Sequence, residues 1–159
     1  MARRLNGARA ELVLDDTDRA IIKELQEDGR RPYGRIGEAV GLSEAAVRQR
    51  VQRLTENEAI KIVAVTDPAL NGIKVRATVG IGVAGDLIEA AEAVSEIPEV
   101  DYVVITAGSF DILAEVQCQS DAHLLEVLNA GIREIDGVRT CETFVYLKLH
   151  KQTYPWPPT

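Results

Sequence analysis

Cysteine is scarce. Two thiols among 159 residues cannot build a disulfide framework, which points to a reduced, cytoplasmic setting. Long apolar runs are missing as well. The longest strictly apolar stretches are four residues, Ile62–Val65 among them, whereas a spanning helix requires about 20. Met1-Ala-Arg-Arg carries the charge of a signal-peptide start, but no apolar stretch follows it. Neither membrane insertion nor secretion is expected. Histidine is equally sparse: His123 and His150 are the only two, and neither has a companion at metal-ligand spacing. No metal, no cofactor and no catalytic constellation is therefore expected. Gly80-Ile-Gly82 is too short for a dinucleotide loop and falls inside a run of strand character. Its expected role is to thin a sheet face where another surface comes close. Positive charge is in deficit too, and a net charge of −7 argues at first sight against a nucleic-acid partner.

The distribution of charge along the chain points the other way. Apolar residues supply 46% of the chain, enough for a folded core, and the length suits one domain or two small ones. Up to Lys61 there are 12 Lys and Arg against 11 Asp and Glu, a net of +1; from Ile62 onward there are 6 against 14, a net of −8. Thirteen of the 18 cations are Arg, and ten of those precede residue 54. Arg donates bidentately to phosphates and base edges, so the acidic second half masks a first half able to meet DNA.

Residues 1–13, with Arg3, Arg4 and Arg9, show no period and are expected to form a basic arm. Asp15-Asp16-Thr17-Asp18 opens a helix, with Asp15 or Asp16 as its cap and Ile21, Ile22 and Leu25 as its apolar stripe. Asp28-Gly29 is expected to end it through a left-handed glycine. A second helix is expected over Pro32–Val40, with Ile36, Ala39 and Val40 inward and Gly41 as its stop. Gly41-Leu42-Ser43 makes a tight corner, and Ser43 caps a third helix to about Asn57, which is a helix-turn-helix pattern. At 100° per residue Val47, Val51 and Leu54 fall within about 60° of one another and form the buried stripe. The opposite side presents Ala45, Arg48, Gln49, Gln52, Arg53 and Glu56. Arg suits guanine and Gln suits adenine, and recognition helices read bases mainly from their N-terminal residues. Arg50, beside the stripe, either braces the fold or touches phosphate. Ile60–Val65 reads as a strand able to pair back as a wing.

Thr66-Asp67-Pro68 and Asn71-Gly72 then break the chain. The expected division is a helix-turn-helix domain over 14–65, a linker over 66–72, a second domain over 73–150 and a tail over 151–159. From Ile73 the period becomes two. Strands are expected over 73–83, 100–107, 112–118 and 138–149. Helices are expected over Asp86–Ile97 and from Ser120-Asp121 to about Ile135, with Leu87, Ile88, Ala91 and Val94 inward in the first. This βαββαβ order is the ferredoxin-like plan, so the fold class is α+β with an N-terminal winged helix-turn-helix. One sheet face stays uncovered. In the last strand Val138, Phe144 and Tyr146 alternate with Cys141, Val145, Leu147 and Leu149, leaving both faces apolar. A symmetric homodimer is the economical way to cover such a face. Cys118 and Cys141 fall on strands that the first strand separates, so no disulfide joins them.

Gly108-Ser109-Phe110-Asp111 carries the remaining chemistry. Exposed amides at such a bend can hold a carboxylate, and Asp111 can pair with an ammonium, which together suit a zwitterion. The competing reading is an ordinary hairpin in which Asp111 satisfies turn amides. On Leu14–Ile22, Gly41-Leu42-Ser43, Val47–Leu54, Gly108–Asp111 and Thr140–Val145, the sequence resembles the Lrp/AsnC family of transcription regulators over about residues 13–150. The resemblance implies dimers that pair through their C-terminal domains and assemble to octamers, bind double-stranded DNA and respond to an amino-acid effector where dimers meet. It implies base or phosphate contacts at Ser43, Ala45, Arg48, Gln49, Gln52 and Arg53, with Arg50 beside them. It implies an effector site at Gly108, Ser109, Phe110 and Asp111, with Thr140, Glu142 and Thr143 nearby. Three positions depart from the family: Ala59 where Gly is usual, Phe110 where Tyr is common, and Glu44, which repels phosphate unless it faces a cytosine amine. Two other functions are compatible with the same plan. One is a siroheme-decarboxylase-like subunit, disfavoured by the acidic second half. The other is a ligand-sensing assembly module that no longer binds DNA.

Overall fold

The computed structural model describes residues 12–152, so the expected basic arm lies outside the described residues except at its end, as does most of the tail. The chain divides into two compact units between Val65 and Thr66. Among the described residues no helix is long and apolar enough to cross a membrane.

The first unit holds α1 (Asp16–Glu27), α2 (Tyr33–Val40) and α3 (Glu44–Glu56). Asp15 caps α1 reciprocally: the Asp18 amide donates to the Asp15 carboxylate at 2.7 Å, and the Asp15 amide donates to that of Asp18 at 3.3 Å. The helix ends at Asp28 in an extended conformation, φ −147°, rather than at a left-handed Gly29. The bend is set instead by the Arg30 amide, which donates to the Asp28 carboxylate. α2 stops at Gly41 with φ +73°. Gly37, not Ala39, is buried on its inner side, and Ala39 is exposed. A Cβ at Gly37 would sit 2.4 Å from the Leu42 carbonyl oxygen, so the corner between α2 and α3 closes only over a bare backbone. Ser43 caps α3 through the Ala46 amide. Ile21, Ile36, Val47 and Val51 make the core, with Leu25, Tyr33, Val40, Leu42 and Ile60 against it.

Ile60–Val65 does not form the expected strand. It has no ladder partner among the described residues, and Ile62, Val63 and Val65 stay about half exposed. A strand exists only against a neighbour, and the expected wing has none here.

The second unit carries β1 (Val75–Val83), α4 (Leu87–Ser95), β2 (Val100–Ile105), β3 (Ile112–Cys118), α5 (Asp121–Glu126) and β4 (Val138–Val145). The sheet is antiparallel in the order β2-β3-β1-β4. Helix α5 continues through one π turn, Val127–Gly131, and a short 3-10 turn, Ile132–Glu134. Ala77, Val79 and Ile81 of β1 and Ile112, Ala114, Val116 and Cys118 of β3 meet Ala90, Val94, Leu128 and Ile132 in one core. Ile88 is exposed and Ala90 takes the inward place expected of it. The strands are shorter than their alternation implied: β1 starts at Val75, β2 ends at Ile105 and β4 ends at Val145. A register shift between Gly82 and Val83 explains another difference. The extra residue opposite that shift flips the pleat, so Val138 packs on the core beside Cys141 instead of facing away with Phe144. Both cysteines are free thiols, and β1 lies between their strands.

Candidate functional site

The outer side of α3 exposes Ser43, Glu44, Ala45, Arg48, Gln49, Gln52 and Arg53. Its arginines are not free. Arg50 donates to Asp15 at 2.7 Å and to Asp18 at 2.8 Å, and Arg53 donates to the other Asp18 oxygen at 2.5 Å. Asp18 is fully buried. A carboxylate withdrawn from water needs such partners, and these two tie α3 to the start of α1. Arg50 thus braces the fold. Its hydrogen bond to Asp15 holds that carboxyl below the usual carboxylate range, and Asp15 and Asp18 in turn hold the Arg50 guanidinium above its ordinary value.

Arg48 is engaged differently. Its Nη2 donates to Glu44 at 2.6 Å, one helical turn back, and its guanidinium lies over the Tyr33 ring at 5.3 Å from the centroid. Gln52 donates to Glu56 at 2.7 Å. The sequence pattern identified the outward face, yet it missed Asp18 as the anchor and Tyr33 as the platform. The signal for Asp18 was the Asp-x-x-Asp capping spacing. Tyr33 offered none, because its link to Arg48 crosses from one helix to another.

The second cluster lies where the β2–β3 connection crosses the open sheet face. The Asp111 amide donates to the Ile81 carbonyl at 2.9 Å, and Asp111 Oδ2 accepts from the Val83 amide at 2.8 Å. Thr106 closes the bend on both sides: its amide donates to the Asp111 carbonyl and its hydroxyl to the Phe110 carbonyl. One Asp111 oxygen therefore does satisfy a backbone amide, on β1 rather than in the turn. The Phe110 ring lies on Gly80, where a Cβ would come within 2.6 Å of it, and meets Phe144 edge-on at 6.0 Å. Thr140 similarly fills the space over Gly82. The two glycines do thin the sheet, and the surfaces that come close are the chain's own Phe110 and Thr140. Glu142 stands opposite Gly80 on the open face, whereas Thr143 stands opposite buried Val79 on the helix-covered face. The structure thus brings Phe110, Asp111, Thr140 and Glu142 to one face, leaves Gly108 and Ser109 exposed at the bend, and separates Thr143 from them.

Elsewhere on that face the Tyr146 hydroxyl shares a 2.6 Å hydrogen bond with Thr78, and Arg76 lies over the Tyr146 ring at 5.5 Å and 3.7 Å from Glu115. A cleft of about 300 Å³ is lined by Ile73, Pro98, Glu99, Asp101, Gln117, Gln119 and His123. Burial, reinforced by Glu115, pushes the Asp101 carboxyl up. His123 is paired with Glu99 at 3.1 Å. Among the described residues no three His, Cys, Asp or Glu side chains are grouped to hold a metal ion.

Comparison with known proteins matches residues 14–55 to an AsnC-type helix-turn-helix domain and residues 69–158 to a C-terminal dimeric alpha+beta barrel domain. The HTH-type transcriptional regulator FL11 of Pyrococcus furiosus is 34% identical over 147 residues, spanning 91% of this chain and 97% of that one. Escherichia coli AsnC superposes with a TM-score of 0.81 at 25% identity, covering 92% of this chain and 99% of that one. A Neisseria meningitidis transcriptional regulator, solved as a complex with L-Met, shares the fold with a TM-score of 0.80 at 24% identity, covering 91% and 97%.

Proposed function

The chain belongs to the Lrp/AsnC family of DNA-binding transcriptional regulators, not enzymes, and from that premise we propose that it is a cytoplasmic homodimer reading DNA sequence through α3. Two copies of α3 enter successive major grooves about 34 Å apart. Arg48, Gln49 and Gln52 face the bases, with Ser43 and Ala45 at the close-approach end. Arg50 and Arg53 hold the helix in its pose and reach no further than phosphate. One observation carries this reading: the outward side of α3 is polar, exposed and held rigid from behind by buried Asp18.

The loop over 108–111 is the proposed effector site, with Thr140 and Glu142 beside it and Thr143 acting from the opposite side of β4. Its bend is fixed to β1 through Asp111, its tip is exposed, and the same fold carries L-Met in the Neisseria protein. An amino acid bound there, between dimers, shifts the population of dimers and octamers. A coupling of about 1–3 kcal/mol is sufficient to change DNA occupancy.

Duplexes selected from a random pool, titrated by fluorescence anisotropy at several salt concentrations, test the first part. Binding should weaken steeply with salt, and Arg48→Ala should cost about tenfold or more. Equal affinity in that variant would remove α3 from the interface. Light scattering behind size exclusion, with and without single amino acids, tests the second. A mass unmoved by any of them overturns the amino-acid site.

A further inference from the structure

The geometry points to Glu44 as a selectivity residue that restrains Arg48, an inference that rests on α3 being the DNA-reading helix. Glu44 stands at the first position of α3, within the segment that enters the groove deepest. A carboxylate there faces a lattice of phosphates and costs affinity for every DNA sequence alike. On that ground alone it is a poor choice, and the structure shows what it does instead. Glu44 Oε1 accepts from Arg48 at 2.6 Å, and Arg48 is at the same time stacked on Tyr33. The remaining oxygen lies beside Gly34, 3.6 Å from where a Cβ would be, an ordinary van der Waals distance.

Arg48 is thereby held from two sides, by an anion and by an aromatic face. A free arginine at this position would swing to whichever phosphate lay nearest and would bind any duplex. A restrained one presents its unused N–H groups over a narrower range of orientations. The guanine edge, with O6 and N7 in fixed geometry, is the partner that rewards such an orientation. Phosphate, reachable from many directions, rewards it least. Glu44 also partly cancels the charge through which Arg48 attracts DNA at a distance. The neighbouring arginines cannot replace Arg48 in reading a base, since Arg50 and Arg53 are committed to Asp15 and Asp18. Glu44 is thus a positioning residue that exchanges general affinity for discrimination.

Glu44→Gln tests this. The position is exposed, Ser43 still caps the helix and no core contact is lost, so the variant folds. The probes are a duplex selected by the wild-type protein from a random pool and a shuffled duplex of the same composition. The variant should bind the shuffled duplex about three- to tenfold more tightly, from the loss of one nearby negative charge. Its ratio of selected to shuffled affinity should fall about fivefold or more. Its plot of log affinity against log salt should steepen by about one, the mark of an added phosphate contact. Tyr33→Leu, which removes the platform but not the charge, should lower the ratio without steepening the salt slope. An unchanged ratio and slope in Glu44→Gln, or a weakened grip on the shuffled duplex, overturns the proposal. If the wild-type protein itself enriches no duplex, the DNA-reading role of α3 falls, and this inference falls with it.

Discussion

Asp18→Ala is the most informative perturbation of the front unit. Asp18 is 0% exposed and accepts from Arg50, Arg53 and the Asp15 amide. Removing one member of a buried ion pair costs about 3–5 kcal/mol when the stranded partner stays dry. Here the stranded groups are Arg50 and Arg53, whose side chains are 29% and 44% exposed and regain water. Solvent screening therefore brings the loss down to about 2–3 kcal/mol. For a domain of this size one kcal/mol moves Tm by about 4–8 °C, so the front unit should melt about 10–20 °C lower. Circular dichroism at the helical minimum reads this as an early transition, with the sheet domain's own transition unmoved. Asp18→Asn keeps the shape and loses the charge, and should fall between wild type and Ala. Acid acts on the neighbouring carboxyl in a known direction. Asp15 titrates below its ordinary 3.8 in the fold, so its contribution is full above that value and is lost as pH falls through the lower, folded one. A Tm shift under about 3 °C in Asp18→Ala would refute the reasoning. It would mean that Arg50 and Arg53 are not held by Asp18 and are available to DNA.

Gly37→Ala should break the corner of the helix-turn-helix, because its Cβ meets backbone rather than a movable side chain; a loss of about 2–4 kcal/mol in the front unit, read by urea unfolding, is expected. Gly80→Ala should collide with the Phe110 ring and destabilise the sheet domain by about 1–3 kcal/mol. The double variant with Phe110→Ala should show a non-additive recovery, and strict additivity would deny the contact. Asp101 carries a raised carboxyl pKa in the folded chain, so its own contribution to stability should decline as pH rises above 3.8 toward that raised value, and urea midpoints taken across pH should differ from those of Asp101→Asn by that component.

Periodicity made most of the fold legible, because it reports which face of each element is dry. Val47, Val51 and Leu54 sit on a 3.6-residue stripe, and Ile112, Ala114, Val116 and Cys118 on a two-residue one; all are buried. Where the structure departs from the pattern, a cause outside the local window decides. Ile60–Val65 has strand composition but no neighbour to pair with among the described residues. Val138 changes faces because β4 carries an extra residue, Arg139, opposite the Gly82–Val83 step of β1. The candidate site divides in the same way. The outward set on α3 is readable from one helix. The attachment of Arg50 and Arg53 to Asp18 spans more than thirty residues, and Phe110 over Gly80 joins a loop to a strand. No single-element pattern contains either.

The charge pattern of α3 has a consequence for how such a protein can be controlled. Each of its three arginines is matched by a carboxylate: Arg48 by Glu44, and Arg50 and Arg53 by Asp15 and Asp18. Phosphate attraction, the usual source of affinity that ignores sequence, is correspondingly reduced at α3 itself. On the proposed reading, linking copies adds the missing affinity, since a second recognition helix on the same assembly binds at an effective concentration set by the tether rather than by the solution. Each added dimer multiplies occupancy without any new contact to a base. An effector that changes how dimers associate therefore acts on the term that dominates affinity. Under the proposed function, a restrained arginine, costly for a single domain, would make the assembly state the controlling variable.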